Sequence, residues 1–305
     1  MIIIKSSKKL KMIGDSALDI EEKNSRIEQF LNYLFSFFSF KSKKNLVVLK
    51  LSGPIGNIGI KNGLSIDSLR KDIEKAFNMP KLAGVCLLIN SPGGSPVQSE
   101  LIASRIIQLS KEKEVPVYAF VEDIAASGGY FLAISADKIF ASKSSIIGSI
   151  GVVSRSFGMS EMIKKLGIER RVYAQGKNKS LLDPFMPAKS QDINIIKNLQ
   201  QHIYKHFVDF VKSRRGGRLN HNDDILFNGD IWTGEKAHEL GLIDGIDNMY
   251  NFIKDNFGSN VNITYIEKKE SWIKKRLGLS YNSQGLIDET LDKIAEKIEF
   301  DKFRF

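Results

Sequence analysis

A repeated order of strand, glycine-containing turn and helix limits this chain to few folds. Residues 84–89 form a continuous apolar run. Paired glycines come shortly after this run, and a helical pattern follows them and ends near Lys113. The order recurs after residues 117–121, where a second glycine pair opens a short helix. Continuous apolar runs are typical of strands buried on both faces of a sheet. The short connections therefore predict an α/β fold with crossover helices and a largely parallel sheet.

Periodicity predicts further elements and a division of the chain into three parts. We expect strands at residues 45–51 and 171–174, and helices at residues 66–78, 191–212 and 235–240. The predicted parts are a basic N-terminal lead with an amphipathic helix (residues 1–44), a central α/β domain (residues 45–254) and a helical C-terminal extension (residues 255–305).

Three glycine turns follow predicted strands, at Gly93-Gly94, at Ser127 and at Ser149. Because functional loops of parallel sheets follow the carboxyl ends of strands, these turns should meet at one edge. Ser149 has Gly148 before it and Gly151 two positions after it, which favours a sharp turn with an exposed hydroxyl. The alternative is that this segment is an ordinary glycine-rich turn with a structural role only.

Lys179 is the predicted general base for the Ser149 hydroxyl. A serine hydroxyl is a weak nucleophile that needs a base, and a lysine must lose water to act as one. The apolar residues Leu181, Leu182 and Phe185 lie next to Lys179 in the sequence and offer a wall that could exclude water. The alternative is a solvated basic loop.

Composition excludes several classes of function. The net charge of +10 suits nucleic acid or an anionic membrane. The basic clusters, however, lie mostly outside the predicted core and have few aromatic residues among them, so no nucleic-acid partner is predicted.

The single cysteine, Cys86, excludes an intrachain disulfide and fits a reducing compartment. No zinc-like spacing of Cys and His is present, so neither a metal nor another cofactor is predicted.

No run of eighteen apolar residues exists, so no spanning helix is predicted. The aromatic run at residues 30–40 is too short to span and is followed by Lys41, Lys43 and Lys44. Such a segment suits either an interfacial helix or a contact with a partner subunit. We predict a cytoplasmic protein, with peripheral contact at the inner face of the membrane as a further option.

Five motifs occur in one order and together resemble the signal peptide peptidase A family, the S49 serine peptidases that include SohB-type proteins. The resemblance covers about residues 45–250 and implies a ClpP/crotonase-like spiral of ββα units, usually in ring-shaped homo-oligomers. The motifs are Asn90-Ser91-Pro92-Gly93-Gly94, Ala126-Ser127-Gly128-Gly129-Tyr130, Ala136-Asp137-Lys138-Ile139, Gly148-Ser149-Ile150-Gly151-Val152, and Thr233-Gly234 with Ala237 and Leu240-Gly241-Leu242-Ile243-Asp244.

The resemblance also implies roles for individual residues. It places the nucleophile at Ser149 and the base at Lys179, five positions before Pro184, with Lys177 as the rival base. Backbone amides of Gly94 and Ile150 would form the oxyanion hole.

Ser127 and Gly93 are expected to support this site. Ser127 is also an alternative nucleophile, because ClpP-like relatives carry theirs on the corresponding turn. No histidine is well placed in the sequence to serve as its partner.

The predicted function is therefore a serine endopeptidase with a Ser-Lys dyad, acting on remnant signal peptides or other short apolar peptides. The alternatives are a crotonase-type acyl-CoA enzyme and a non-catalytic peptide-binding scaffold on the same fold.

Overall fold

The structure, a computed structural model, describes residues 43–58 and 61–266. The chain divides into two units, Met1–Lys43 and Lys44–Phe305, and every element given below belongs to the second. The amphipathic helix predicted near residues 25–40 lies outside the described residues, as does residue 267 onward.

The described residues form the strands β1 (Lys44–Ser52), β2 (Asn57–Ile58), β3 (Lys61–Asn62), β4 (Leu82–Ser91), β5 (Val117–Ala126), β6 (Lys138–Ala141), β7 (Ile146–Gly148), β8 (Ile231–Thr233), β9 (Gly245–Ile246) and β10 (Val261–Ile266). Eight of them form one sheet in the order β10-β1-β4-β5-β6-β9, with β7 beside β5 and β8 beside β7. All neighbours in this sheet are parallel except β7 and β8. The strands β2 and β3 form a separate antiparallel pair.

The helices begin where local capping signals stand. The Ser95 side chain accepts a hydrogen bond from the amide of Gln98, and Pro96 occupies the first position of the helix Pro96–Lys113. The helices are α1 (Ile66–Phe77), α2 (Pro96–Lys113), α3 (Gly128–Ala133), α4 (Ser160–Lys165), α5 (Ser190–Arg215), α6 (Asp223–Leu226), α7 (Gly234–Glu239) and α8 (Met249–Phe257), with a 3₁₀ turn at Gly216–Arg218. The predicted α/β class with a largely parallel sheet is confirmed.

The central strands are buried on both faces. In β4, Val85, Leu87 and Ile89 join the main hydrophobic core, whereas Cys86 belongs to a second cluster that includes Phe252 of α8. Burial raises the pKa of the Cys86 thiol to about 12, so this thiol stays protonated and inert at neutral pH. The two-sided burial explains the unbroken apolar run in the sequence.

Two predicted elements differ from the structure. Residues 171–174 are irregular, and Tyr173 is 92% exposed, so this short run has no neighbouring strand or core among the described residues to stabilise it. Residues 261–266, predicted as part of a helical extension, instead form β10. Its residues pair with β1 through Leu46 and Ile263, which covers an otherwise open sheet edge.

None of the helices formed by the described residues combines the length and the apolar character needed to cross a bilayer.

Candidate active site

The strands β5 and β7 end side by side and bring two serines to the same edge of the sheet. Ala126 pairs with Gly148, so Ser127 and Ser149 are the first residues after two paired strands. The Ser127 amide donates to the Gly148 carbonyl at 2.8 Å. The predicted meeting of the glycine turns at one edge is therefore present in the structure.

Ser127 occupies a sharp turn from strand to helix. Its backbone angles, φ 52° and ψ −120°, are uncommon for a residue with a side chain, and α3 begins directly after it. Such strained turns cost about 1–3 kcal/mol and recur at active sites, where they expose a nucleophile at the top of a sheet. Ser127 combines these features of a nucleophilic serine.

The Gly93-Gly94 loop packs directly against the Ser127 turn. A Cβ atom on Gly93 would lie 2.8 Å from the Ala126 carbonyl oxygen and 2.9 Å from the Ser127 Cβ. A Cβ on Gly94 would lie 2.1 Å from the carbonyl oxygen of Ile55. Both glycines also have positive φ, so no other residue would allow the loop to approach so closely.

Two backbone amides stand free beside Ser127. Among the described residues, neither the Gly94 amide nor the Gly128 amide donates to an acceptor. The Gly94 nitrogen lies 3.3 Å from the position that a Cβ on Gly128 would take, so the two residues are adjacent. Paired free amides next to a hydroxyl are the arrangement that stabilises an oxyanion.

Ser149 has a different local environment. It also has a positive φ of 52°, but it leads into an irregular loop, and its amide donates to the Asp230 carbonyl at 2.7 Å. Ile150, the predicted second oxyanion donor, is fully buried and lines neither of the two cavities described next, whereas Gly94 lines both. Gly128, the residue after Ser127, lines the smaller cavity, whereas Ile150, the residue after Ser149, does not, so the Ser127 turn presents its neighbouring amide nearer to a space for substrate.

Two cavities meet at Ser127. The larger has a volume of about 830 Å³ and also contains Ser149, and the smaller has about 390 Å³ and an apolar interior. Lining residues of the larger include Pro92, Val152, Arg155, Lys197, Tyr204 and Asn228. Lining residues of the smaller include Val97, Phe131, Val152, Ile203, His206 and Phe207.

Lys179 is not part of either cavity. It lies in a turn whose amide donates to the Gly176 carbonyl at 3.1 Å, and both Lys179 and Lys177 are exposed. The lysine that does line the larger cavity is Lys197 of α5. The predicted base and the predicted nucleophile are therefore not brought together in this cavity by the described part of one chain.

The loop that carries Lys179 is nevertheless well held. Arg170 donates twice to the Asp183 carboxylate, at 3.1 and 3.0 Å, and the Phe185 amide donates to the same carboxylate at 3.0 Å. The Phe185 amide, followed by Arg170, holds the pKa of Asp183 below its ordinary value. At the base of the loop, the Met159 amide donates to the Pro184 carbonyl at 2.6 Å.

The segment between the cavity and this loop exposes many apolar side chains. We call residues 153–173 the arm. Apolar side chains in the arm with substantial exposure are Val153, Phe157, Met162, Leu166, Ile168, Val172 and Tyr173. Exposed apolar side chains concentrated in one segment favour a role in binding another surface.

Buried polar contacts fix α3 below Ser127. The Tyr130 hydroxyl donates to the Leu242 carbonyl at 2.8 Å, and burial raises the pKa of this hydroxyl, which excludes it as a base. Arg214 donates to the carbonyls of Ile134, Ser135 and Ala136 at the end of the helix. These hydrogen bonds join residues far apart in the sequence and hold the Ser127 turn and α3 in place.

The sequence did not single out Gly128, Arg155 and Lys197, which line the cavities. The place of Gly128 directly after a candidate nucleophile was a readable signal for its amide, since the residue after a nucleophile commonly supplies one oxyanion donor. Arg155 and Lys197 carry no such signal, because only folding places them at the cavity.

No metal centre is formed by the described residues. They contain no group of three or more His, Cys, Asp or Glu side chains suited to hold an ion. His206 instead lies 3.4 Å from the Glu100 carboxylate.

Comparisons with known proteins support a peptidase relationship. The sequence profile of the family described as Peptidase family S49 matches residues 109–256. The probable protease SohB of Buchnera aphidicola is 31% identical over 220 residues, which are 69% of this chain and 70% of that protein.

The chain also resembles part of a longer protein. A Brucella melitensis protein named Na(+)/H(+) antiporter NhaA is 47% identical over 232 residues, which are 75% of this chain and 31% of that protein. The chain spans about a third of the length of the first curated relatives that it matches. A solved structure of a point mutant of the 1510-N membrane-bound stomatin-specific protease superposes with a TM-score of 0.45 at 17% identity, covering 74% of this chain and 98% of that one.

Proposed function

Because the chain belongs to the S49 family of peptidases, we propose that it is a serine peptidase that hydrolyses short peptides. Membership also carries the ClpP/crotonase-like fold that the sequence motifs implied, in agreement with the parallel sheet. The observation that carries the proposal is the Ser127 turn, where a serine with an unusual backbone conformation lies beside two free amides and lines two cavities.

The geometry supports Ser127 best as the nucleophile. Its Oγ would attack the peptide carbonyl carbon while a base accepts the hydroxyl proton, and the Gly94 and Gly128 amides would stabilise the resulting oxyanion. Each such donor is worth on the order of 3 kcal/mol in the transition state. The leaving amine then takes the proton, and water releases the acyl group in a second step.

Ser149 remains the second candidate for the nucleophile. It lines the larger cavity and also has a strained backbone, and the glycines around it prompted its assignment from the sequence. Under this alternative, Ser127 supports the site through the hydrogen bond that its amide donates to the Gly148 carbonyl.

Mass spectrometry after labelling with a fluorophosphonate probe tests both assignments. We expect the wild-type protein to carry the probe on Ser127, Ser127→Ala to lose the label and Ser149→Ala to keep it. A label on Ser149 would assign the reaction to that residue. An unlabelled wild type that also fails to cleave a peptide library would favour a non-catalytic scaffold.

We propose Lys179 as the base, supplied by a second copy of the chain in a ring-shaped homo-oligomer. An exposed lysine on a well-held loop and an apolar arm that the other described residues leave uncovered both support this arrangement. Desolvation by the partner would then favour the neutral amine that a base requires. Lys177 is the rival within the same loop.

The smaller cavity is proposed to receive an apolar side chain of the peptide. It opens beside Ser127, and Val97, Phe131 and Phe207 line it. Its apolar lining suits large apolar side chains, and this preference agrees with short apolar peptides, including remnant signal peptides, as substrates. A crotonase-type acyl-CoA reaction is the alternative, and a thermal shift produced by acyl-CoA would favour it.

We propose a cytoplasmic location, with peripheral membrane contact through the N-terminal lead as a further option. The lone buried Cys86 supports a reducing compartment, and the basic residues of the lead suit an anionic surface. Cell fractionation with and without a high-salt wash tests both statements, since a peripheral contact by charge is lost in salt.

A further inference from the structure

One face of α5 presents polar side chains to the larger cavity. Lys197, Gln200, Gln201 and Tyr204 all line it, and their spacing of three, four and seven residues places them on one side of the helix. The Tyr204 hydroxyl donates to the Phe227 carbonyl at 2.6 Å, which fixes this side of the cavity. This polar stripe lines the same cavity as the two serines, which indicates a ligand with polar groups.

The charge on the cavity wall has one sign. Arg155 and Lys197 line it, and none of the described lining residues is acidic. The nearby carboxylate of Asp230 does not line the cavity and accepts a hydrogen bond of 2.6 Å from Asn228. Because a positive group in a concave site focuses the field on the ligand, the Lys197 side of this wall attracts an anion.

Lys197 differs from other lysines on the same helix. Lys205 lies 3.4 Å from the Asp209 carboxylate, and Lys212 pairs with Asp223. Among the described residues, no carboxylate lies within ion-pair distance of the Lys197 ammonium group. Its charge is therefore available to a ligand in the cavity.

We propose that the larger cavity binds a carboxylate of the peptide substrate through Lys197. The inference rests on the proposed peptidase function and deepens it by naming the substrate class: short peptides whose carboxylate lies within reach of the cleaved bond. A free C-terminus and an acidic side chain share this chemistry. The cavity volume of about 830 Å³ lies within the usual range for small-ligand sites, roughly 300–1,000 Å³.

The test compares three versions of one cleavable apolar peptide: the free acid, the C-terminal amide, and the amide with glutamate as its last residue. We expect the wild type to prefer the free acid over the amide by roughly 10- to 100-fold in kcat/KM, the size of one charge-assisted hydrogen bond. The third peptide identifies whether a side-chain carboxylate serves as well.

Variants of α5 identify the residue that carries the preference. Lys197→Gln should bring the ratio of free acid to amide close to one, mainly by raising the KM of the free acid. Lys197→Arg should keep much of the preference, because it retains the charge. Lys205→Gln is the matched control, since Lys205 lies on the same helix outside the cavity, and it should behave as the wild type.

Each remaining outcome contradicts the proposal in a recognisable way. Equal kcat/KM for all three peptides in the wild type, or an unchanged preference in Lys197→Gln, would overturn it. Equal loss on every peptide in Lys197→Gln would point to a base or a structural residue. If the wild type cleaves nothing, the proposed function fails, and the affinity of the Ser127→Ala variant for the free acid and the amide then decides the carboxylate site separately.

Discussion

The Ser127 amide donates a hydrogen bond of 2.8 Å to the Gly148 carbonyl, and this bond joins the ends of β5 and β7 at the two cavities. It places the two candidate serines side by side while their environments differ. Ser127 leads into α3 beside the free amides of Gly94 and Gly128, whereas Ser149 leads into an irregular loop, and Ile150 directly after it lines neither cavity. The chemistry proposed above depends on this difference.

The close approach of Gly93 to the Ser127 turn predicts a site-specific effect of one methyl group. Gly93→Ala would place its Cβ 2.8 Å from the Gly128 nitrogen and displace an oxyanion donor. We expect kcat to fall by roughly 10-fold or more, because each donor contributes about 10²–10³-fold. Peptide hydrolysis measures the effect.

Gly258→Ala is the matched control for Gly93→Ala. Gly258 also has a positive φ, but a Cβ there meets no atom within 4 Å. Both variants should lose about 1–3 kcal/mol of stability from backbone strain, and Gly93→Ala should lose more because its Cβ also meets backbone atoms at 2.8 Å. Gly258→Ala should keep its activity. Equal activity of the two variants would contradict the proposed role of the Gly93-Gly94 loop.

A base supplied by a second copy predicts complementation between inactive variants. Ser127→Ala and Lys179→Ala should each lose activity by roughly three orders of magnitude or more. When the two are unfolded, mixed and refolded together, a fraction of the sites receives an intact serine from one chain and an intact lysine from the other. We expect this mixture to recover part of the wild-type rate.

The complementation experiment carries its own controls. Each variant refolded alone should stay inactive, and light scattering should show the same assembly for all samples. If the mixture stays as inactive as its parts, the dyad does not form between copies.

The apolar character of the smaller cavity predicts a change of side-chain preference. Ile203→Trp would fill part of its 390 Å³ volume. We expect kcat/KM for peptides with leucine or phenylalanine at the cleaved position to fall by roughly 10- to 100-fold relative to alanine.

Leu199→Trp is the matched control for Ile203→Trp. It introduces the same side chain one turn earlier on α5, at an exposed position that lines neither cavity. Its substrate profile should equal that of the wild type. A parallel loss of all substrates in Ile203→Trp would indicate misfolding instead of altered preference.

The pairing of Asp244 with Arg215 and Arg218 predicts a pH-dependent contribution to stability. Their nitrogens lie 2.7 and 3.0 Å from its carboxylate, and Arg215 is almost fully buried. Burial by itself raises the pKa of Asp244, but the hydrogen bond and charge of Arg215, the Ile139 amide and the charge of Arg218 outweigh it and hold the pKa below its ordinary value.

A carboxyl group whose pKa is lower in the folded state stabilises the fold above its unfolded pKa, about 3.9, and loses this contribution as the pH falls through the folded value. Asp244→Asn should therefore lower the free energy of unfolding by roughly 3 kcal/mol at pH 7, where it leaves Arg215 without its anionic partner. Urea unfolding at several pH values should show the difference from wild type shrinking below about pH 4. A difference independent of pH would contradict this account.

Much of the fold could be predicted because its signals are local. The unbroken apolar run of β4 follows from burial on both faces. The start of α2 is marked by the capping residue Ser95 and by Pro96 after it. The edge strand β10 could not be predicted in this way, since its stability comes from pairing with β1, more than two hundred residues earlier in the chain.

The α/β class, the family and the set of glycine turns could all be recognised in the amino-acid sequence, because hydrophobic period, caps and turn residues act over a few positions. Only the folded chain decides which of the two serines lies beside free amides. The register of β5 with β7 and the approach of Gly93 to Ser127 are both long-range contacts. Folding likewise places Lys197 in the cavity and Lys179 on an exposed loop, since the position of a lysine depends on how its element packs against the rest of the chain.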